Sequence, residues 1–234
     1  MKTEICKNGE DLAEIALKKL QTKLFGKPES VLALACGRTM EPIWEKLGAA
    51  CERGEISLQD ACVLCVTELL NTAPDKSCRH TLETGLIQKT DIKPENCYFP
   101  DPMAPVEYDR LIGQLGGLDL AVLGIGENGH FGYNEPGTFF DSRTHLQKLT
   151  ERTKRQLLKR GFTEADMPEE AVTMGVKTLT EARDILILAA GEEKAAAVFQ
   201  MLYARTTSYV PAAYLQIPLN VTVLLDQEAA KMIL

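Results

Sequence analysis

Histidine is scarce: the 234-residue chain holds three, His80, His130 and His145, and none stands at His-x-His or His-Glu-x-x-His spacing. A zinc centre built on imidazoles is therefore not expected, and no metal ligand is assigned. There is no Gly-x-Ser-x-Gly elbow either, which removes the usual nucleophile of an α/β-hydrolase. No stretch approaches ~20 uninterrupted apolar residues, so no membrane partner is expected. Positive charge is in deficit, with 26 Lys and Arg against 33 Asp and Glu and a net charge of −7. A general nucleic-acid binder would instead carry a basic face. The opening Met1-Lys2-Thr3-Glu4 lacks the charged-then-apolar order of a signal peptide. Seven cysteines are an odd number, and fit reduced thiols in a cytoplasmic protein. Cys62-Val63-Leu64-Cys65 has CxxC spacing, but in an apolar run that reads as a strand. The two side chains would then face opposite ways and serve packing rather than redox chemistry.

What is present is an alternation of apolar runs and helical patterns. Glu10 to Phe25 carries Leu12, Ile15, Ala16, Leu20 and Leu24 at helical spacing, with Asn8 and Asp11 as cap candidates. Val31–Ala35, Ala61–Val66, Leu118–Leu123, Asp184–Ala190, Tyr214–Ile217 and Val221–Asp226 read as buried strands. Ser77–Ile87, with a surface His80, reads as a short helix, as does Val106–Leu115. Pro94 to Pro105, with prolines at 94, 100, 102 and 105, reads as a surface connection. Strands and helices alternating at this spacing predict an α/β fold, a single Rossmann-like domain with a doubly wound, mostly parallel sheet flanked by helices. Loops 36–39, 67–68, 124–135 and 191–194 would then meet along one edge of that sheet.

The densest chemistry lies in Gly124-Ile125-Gly126-Glu127-Asn128-Gly129-His130, continuing through Phe131-Gly132-Tyr133 to Asn134-Glu135-Pro136-Gly137. Glycines let the chain turn and bring backbone N–H groups close to a ligand. An imidazole and a carboxylate sit five residues apart inside that turn. The Gly-x-Gly does not open a helix as a dinucleotide fingerprint requires, because Asn134-Glu135-Pro136-Gly137 interrupts it. No cofactor is expected. A second strand-to-helix turn, Cys36-Gly37-Arg38-Thr39, combines glycine, hydroxyl and helix N-terminus in an anion-binding arrangement.

The stretch from Gly124 to Gly137 closely resembles the GxGxxGHxxxNEPG signature of glucosamine-6-phosphate deaminases and galactosamine-6-phosphate isomerases. Related 6-phosphogluconolactonases share its first half, then typically continue into a Ser-Leu-Phe-Pro-like segment where this chain has Tyr133-Asn134-Glu135-Pro136. The resemblance runs from about Val31 to Asp226. It implies an enzyme that opens an amino-sugar 6-phosphate and releases the ketose phosphate and ammonia. His130 would protonate the ring oxygen, with Asn128 and Glu135 beside it. Phosphate would be held by Gly37, Arg38 and Thr39, which stand where the family has a Thr-Gly-Gly-Thr-like loop, and by Lys159 and Lys194. Thr173-Met174-Gly175-Val176 looks like a further family element near the sugar.

The resemblance also implies a mobile lid around 149–169 within a single domain spanning 1–234. At Thr67 the chain departs, since the family resembles Asp-Glu-Tyr there and uses the Asp as the base at C2. Thr67 lacks basicity, and Glu68 is the neighbouring acid that would have to reach back. Two other readings stand beside the deaminase. One is a sugar-phosphate lactonase, which needs no C2 base; the other is a non-catalytic sugar-phosphate binder, usually preceded by a DNA-binding helix pair. The expected partner is a small sugar phosphate, with the chain a monomer or homo-oligomer.

Overall fold

A computed structural model describes all of residues 1–234. The chain opens with strand β1 (Lys2–Cys6) and helix α1 (Gly9–Gly26). Asn8 caps α1, its side chain accepting from the Asp11 N–H, while Leu12, Ala16 and Leu20 bury one face. Then come β2 (Val31–Leu34), α2 (Glu41–Glu52), β3 (Cys62–Cys65), the short β4 (Thr67–Leu69) and α3 (Cys78–Gly85). The Pro94–Pro105 stretch is not wholly irregular, because Cys97–Tyr98 forms β5 before α4 (Pro105–Gln114). Next follow β6 (Leu120–Gly124), β7 (His145–Lys148), α5 (Glu151–Leu158), β8 (Glu170–Thr173) and α6 (Val176–Thr180). Finally come β9 (Ile185–Ala189), α7 (Ala195–Tyr203) and β10 (Val221–Asp226).

Seven strands pair in the order β1-β10-β9-β6-β2-β3-β5, every pairing parallel. Alternate residues of each strand feed opposite faces. Leu32 and Leu34 enter the core packed with α1 and α2, whereas Val31 and Ala33 enter the one packed with α4 and α7. Cys62 and Cys65 divide in the same way. From β2 the chain winds outward through β3 to β5, then returns to place β6 on the other side of β2. The crevice at the carboxyl ends of β2 and β6 is thus the point where strand order reverses, the expected place for a ligand in such a sheet.

Tyr214–Ile217 is not a strand. Pro211–Gln216 is a 3-10 helix with Ala212, Ala213, Tyr214 and Leu215 all buried, and a short, fully buried apolar run gives the same sequence signal in either conformation. β1 was not expected, and it forms the sheet edge through a register from Lys2 opposite Thr222 to Cys6 opposite Asp226. A small antiparallel sheet, β4-β8-β7, was not expected either. It carries Thr67 opposite Thr173 and flanks the same crevice. No helix is long and apolar enough to cross a membrane.

Candidate active site

The crevice is a cavity of about 430 Å³. Its walls are the loops after β2 and β6, Thr67 at the start of β4, the residues just before α7, and the α5 segment above. Gly37, Arg38, Thr39, Thr67, His130, Lys159 and Lys194 all line it. Of the residues expected at the site, Asn128 and Glu135 stand behind His130, and only Glu68 is directed elsewhere.

His130 is held from several sides. Its carbonyl accepts from Gly126 N–H at 2.8 Å, and its own N–H donates to Asn128 Oδ1 at 3.2 Å. Nδ1 lies 3.4 Å from Thr153 Oγ1 and 3.5 Å from Glu135 Oε2. Nε2 makes no hydrogen bond within the chain, so one ring nitrogen is anchored and the other is free for a ligand. Glu135, 1% exposed, accepts from Asn128 Nδ2 at 2.6 Å and from Thr150 Oγ1 at 3.3 Å, and its other oxygen accepts from Thr150 N–H. Burial pushes this carboxyl upward, but the bonds and charge from His130, with those from Thr153 and Asn128, outweigh it and leave the group below its ordinary value. Its contribution to stability is therefore complete above the unfolded carboxylate pKa and is lost as pH falls through the lower folded one. Asn134 has a purely architectural place, donating to the Phe131 and Met174 carbonyls at 2.9 Å each.

Cations gather in this cavity of a chain that is acidic overall. Arg38 is exposed and makes no ion pair; Lys159 pairs with Glu127 at 3.4 Å. Lys194 has no carboxylate within ion-pair distance, and burial drives it below the ordinary lysine value, Arg38 and Arg160 adding to a shift that Glu127 and Glu193 oppose. Arg160, next to Lys159, was not among the expected phosphate residues. It lines the cavity itself, its guanidinium donating to the Cys36 carbonyl at 3.4 Å, and it supplies the planar cation suited to phosphate. Tyr133, Thr153 and Cys36 are further lining residues that were not expected as site groups. No sequence pattern pairs them, since each reaches the cavity from a different element.

Glu68 does not reach back toward the cavity. One carboxylate oxygen accepts from the N–H groups of Leu69 at 2.9 Å and Cys78 at 2.8 Å, and the other from Arg79 at 2.8 Å. It thus serves the unpaired donors at the start of α3, next to the Ser77 cap. Alternation in β4 sends adjacent side chains to opposite faces, so Thr67 faces the cavity and Glu68 cannot. Burial raises the Glu68 carboxyl, with the Cys78 thiol adding to it, while the backbone donors resist. Glu68→Gln should cost stability, about 1–3 kcal/mol for mismatched buried donors. Turnover of the folded enzyme should hardly change, as melting and steady-state rates would show together.

Comparison with known proteins bears on the family and the fold. A family model described as "Glucosamine-6-phosphate isomerases/6-phosphogluconolactonase" matches residues 7–223. A glucosamine-6-phosphate deaminase of Bacillus velezensis is 38% identical over 234 residues, covering 96% of this chain and 97% of that one. The solved structure of a monomeric glucosamine-6-phosphate deaminase superposes with a TM-score of 0.94 at 35% identity, covering 99% of this chain and 100% of that one. A 6-phosphogluconolactonase from Trypanosoma cruzi superposes at 0.79 with 17% identity, covering 98% and 96%, and shares the fold.

Proposed function

The chain belongs to the glucosamine-6-phosphate isomerase/6-phosphogluconolactonase family, and on that premise we propose that it is an amino-sugar-6-phosphate deaminase/isomerase. Its substrate is glucosamine 6-phosphate or galactosamine 6-phosphate, and its products are the ketose 6-phosphate and ammonia. The observation that carries this reading is what the cavity brings together: a carboxylate-anchored imidazole with a free Nε2 and the cations Arg38, Arg160 and Lys194. Phosphate binds among those cations and at the Gly37–Thr39 turn, so the reacting carbons fall toward His130. Anchored through Nδ1 by Glu135, His130 gives a proton from Nε2 to the ring oxygen and opens the pyranose. Asn128 keeps Glu135 in place. The segment 149–169 acts as a lid: its Thr153 touches His130 and its Arg160 reaches the phosphate wall, so closure brings both halves of the site together.

The deaminase relatives at 35–38% identity support this reading over the lactonase, whose likeness at 17% identity extends to the fold alone. Ammonia release from each 6-phosphate epimer is the direct test. Hydrolysis of a sugar-phosphate lactone without ammonia release would overturn the proposal. Lys194→Ala should weaken binding of phosphorylated sugars about tenfold, the low end for a hydrogen bond to a charged group, and leave binding of unphosphorylated ones unchanged. Calorimetric titration with both ligand classes checks this; equal losses would make Lys194 a structural residue.

A further inference from the structure

A deaminase of this kind must remove a proton from C2, and neither Thr67 nor Glu68 can take it: one is a hydroxyl, the other is turned onto α3. The wall beside Thr67 holds something else. Cys36, 7% exposed, ends the run after β2 and lines the cavity. Its Sγ lies 3.8 Å from Thr67 Oγ1, and that oxygen is 3.4 Å from Cys78 Sγ. Cys65 Sγ stands behind, donating to the Thr67 carbonyl at 2.9 Å. Of these thiols only Cys36 faces the cavity, while Cys65 and Cys78 are fully enclosed. The Arg160 guanidinium reaches the Cys36 carbonyl, so positive charge lies on the same side.

Resting on the deaminase reading, we propose that Cys36 is the base at C2, its Sγ doing the work for which Thr67 is unequipped. Thr67 and Cys78 are positioning residues in this arrangement: the Cys78 thiol faces the Thr67 hydroxyl, which in turn can direct its hydrogen to the Cys36 sulfur. The Cys36 thiol is held well below its ordinary value against burial, its neighbours Cys65 and Cys78 contributing first and Arg160 and Thr67 after them. Burial pushes Cys65 up, with Cys36 adding to it, and Cys36 comes first in raising Cys78. Of the three thiols, Cys36 is the one shifted toward giving up its proton.

The proton balance closes without any added reagent. In the open-chain aldehyde, the Cys36 thiolate takes the C2 proton and the C–H pair becomes the C1–C2 double bond. The carbonyl pair moves to O1, which takes a proton from the C2 ammonium, giving an enolamine. The Cys36 thiol then returns its proton to C1, the nitrogen lone pair forms C2=N, and the thiolate is restored. Water adds to the C2 iminium, its protons pass to nitrogen, and the C2–N bond breaks to leave the C2 ketone and an ammonium ion.

The test follows solvent deuterium into C2 and into product C1, beside ammonia release, sugar-phosphate affinity and melting, in wild type, Cys36→Ser and Cys36→Ala. Both variants should lose at least ~10²-fold in exchange, the low end for a general base, with affinity kept within a few-fold. Cys78→Ala should move the acid limb of the exchange profile to higher pH, because Thr67 loses the thiol that orients its hydroxyl toward Cys36, and Cys78→Ser should restore it. Ultraviolet titration should show a thiolate at neutral pH in wild type and not in Cys36→Ser. Full exchange in a folded Cys36→Ser enzyme overturns this assignment alone, as does a loss that merely tracks affinity or melting. Wild type that neither exchanges nor releases ammonia from either epimer overturns the deaminase reading, and the Cys36 role with it.

Discussion

Replacing His130 with glutamine is expected to lower turnover by about 10²–10⁴-fold, the range for a positioned general acid, and to leave the fold intact. The ring is anchored by side chains of the 128–153 region rather than buried in either apolar cluster, so its loss opens no cavity in the core. Glutamine keeps a polar group that can still bond toward Glu135 and Thr153, but it has no nitrogen that exchanges a proton near neutral pH. Turnover and melting are to be measured on the same preparation. Unchanged turnover in a folded variant would remove His130 from the chemistry. Ring opening can be read separately with a slow-mutarotating sugar phosphate: it should fall in His130→Gln and persist in Cys36→Ser. That contrast separates His130 from Cys36 by the step each serves.

How much of this was legible in the sequence depends on how local each feature is. The long helices and the central strands were, because their burial patterns repeat within one element. The signature around His130 was, because Glu135 and Asn128 lie within seven residues of each other. The antiparallel sheet was not: β7, with Gln147 and Lys148, carries no apolar alternation, and it pairs with β8 from Lys148 opposite Glu170. β5 is only two residues long and follows a 3-10 turn over Pro94–Asn96. Cys36 follows β2, Cys65 ends β3 and Cys78 opens α3, and only the fold brings them to Thr67. The CxxC spacing at 62–65 was read as packing with the two side chains on opposite faces, and Cys65 and Cys62 do enter different cores. Arg160 was one residue from the expected cation, a shift that α5 geometry decides and spacing alone does not.

Gly126→Ala should cost about 10²-fold in turnover with little change in melting, the effect of misplacing a catalytic group by roughly an ångström. Glycines at 124, 126 and 129 were read alike as turn residues, yet the structure gives them different reasons. Gly129 has φ of +82° and needs the left-handed region, whereas Gly124 ends β6. Gly126 does not have a positive φ. A Cβ there would stand 2.4 Å from His130 Cε1 and Nε2 and 2.7 Å from Cδ2, so the imidazole lies directly against the bare backbone. Alanine would push the ring away, stretching its contacts of 3.4 Å to Thr153 and 3.5 Å to Glu135 and displacing the nitrogen that faces the sugar. The backbone bond between Gly126 N–H and the His130 carbonyl need not break, which is why stability should hold. Turnover, melting and sugar-phosphate affinity measured together decide it. If alanine leaves turnover intact, the ring tolerates displacement and its position against Gly126 is not what the chemistry requires. If alanine restores activity on a His130→Gln background, steric placement is irrelevant to the site. The expected result is neither: rate falls, affinity for the phosphate wall stays, and only the imidazole has moved.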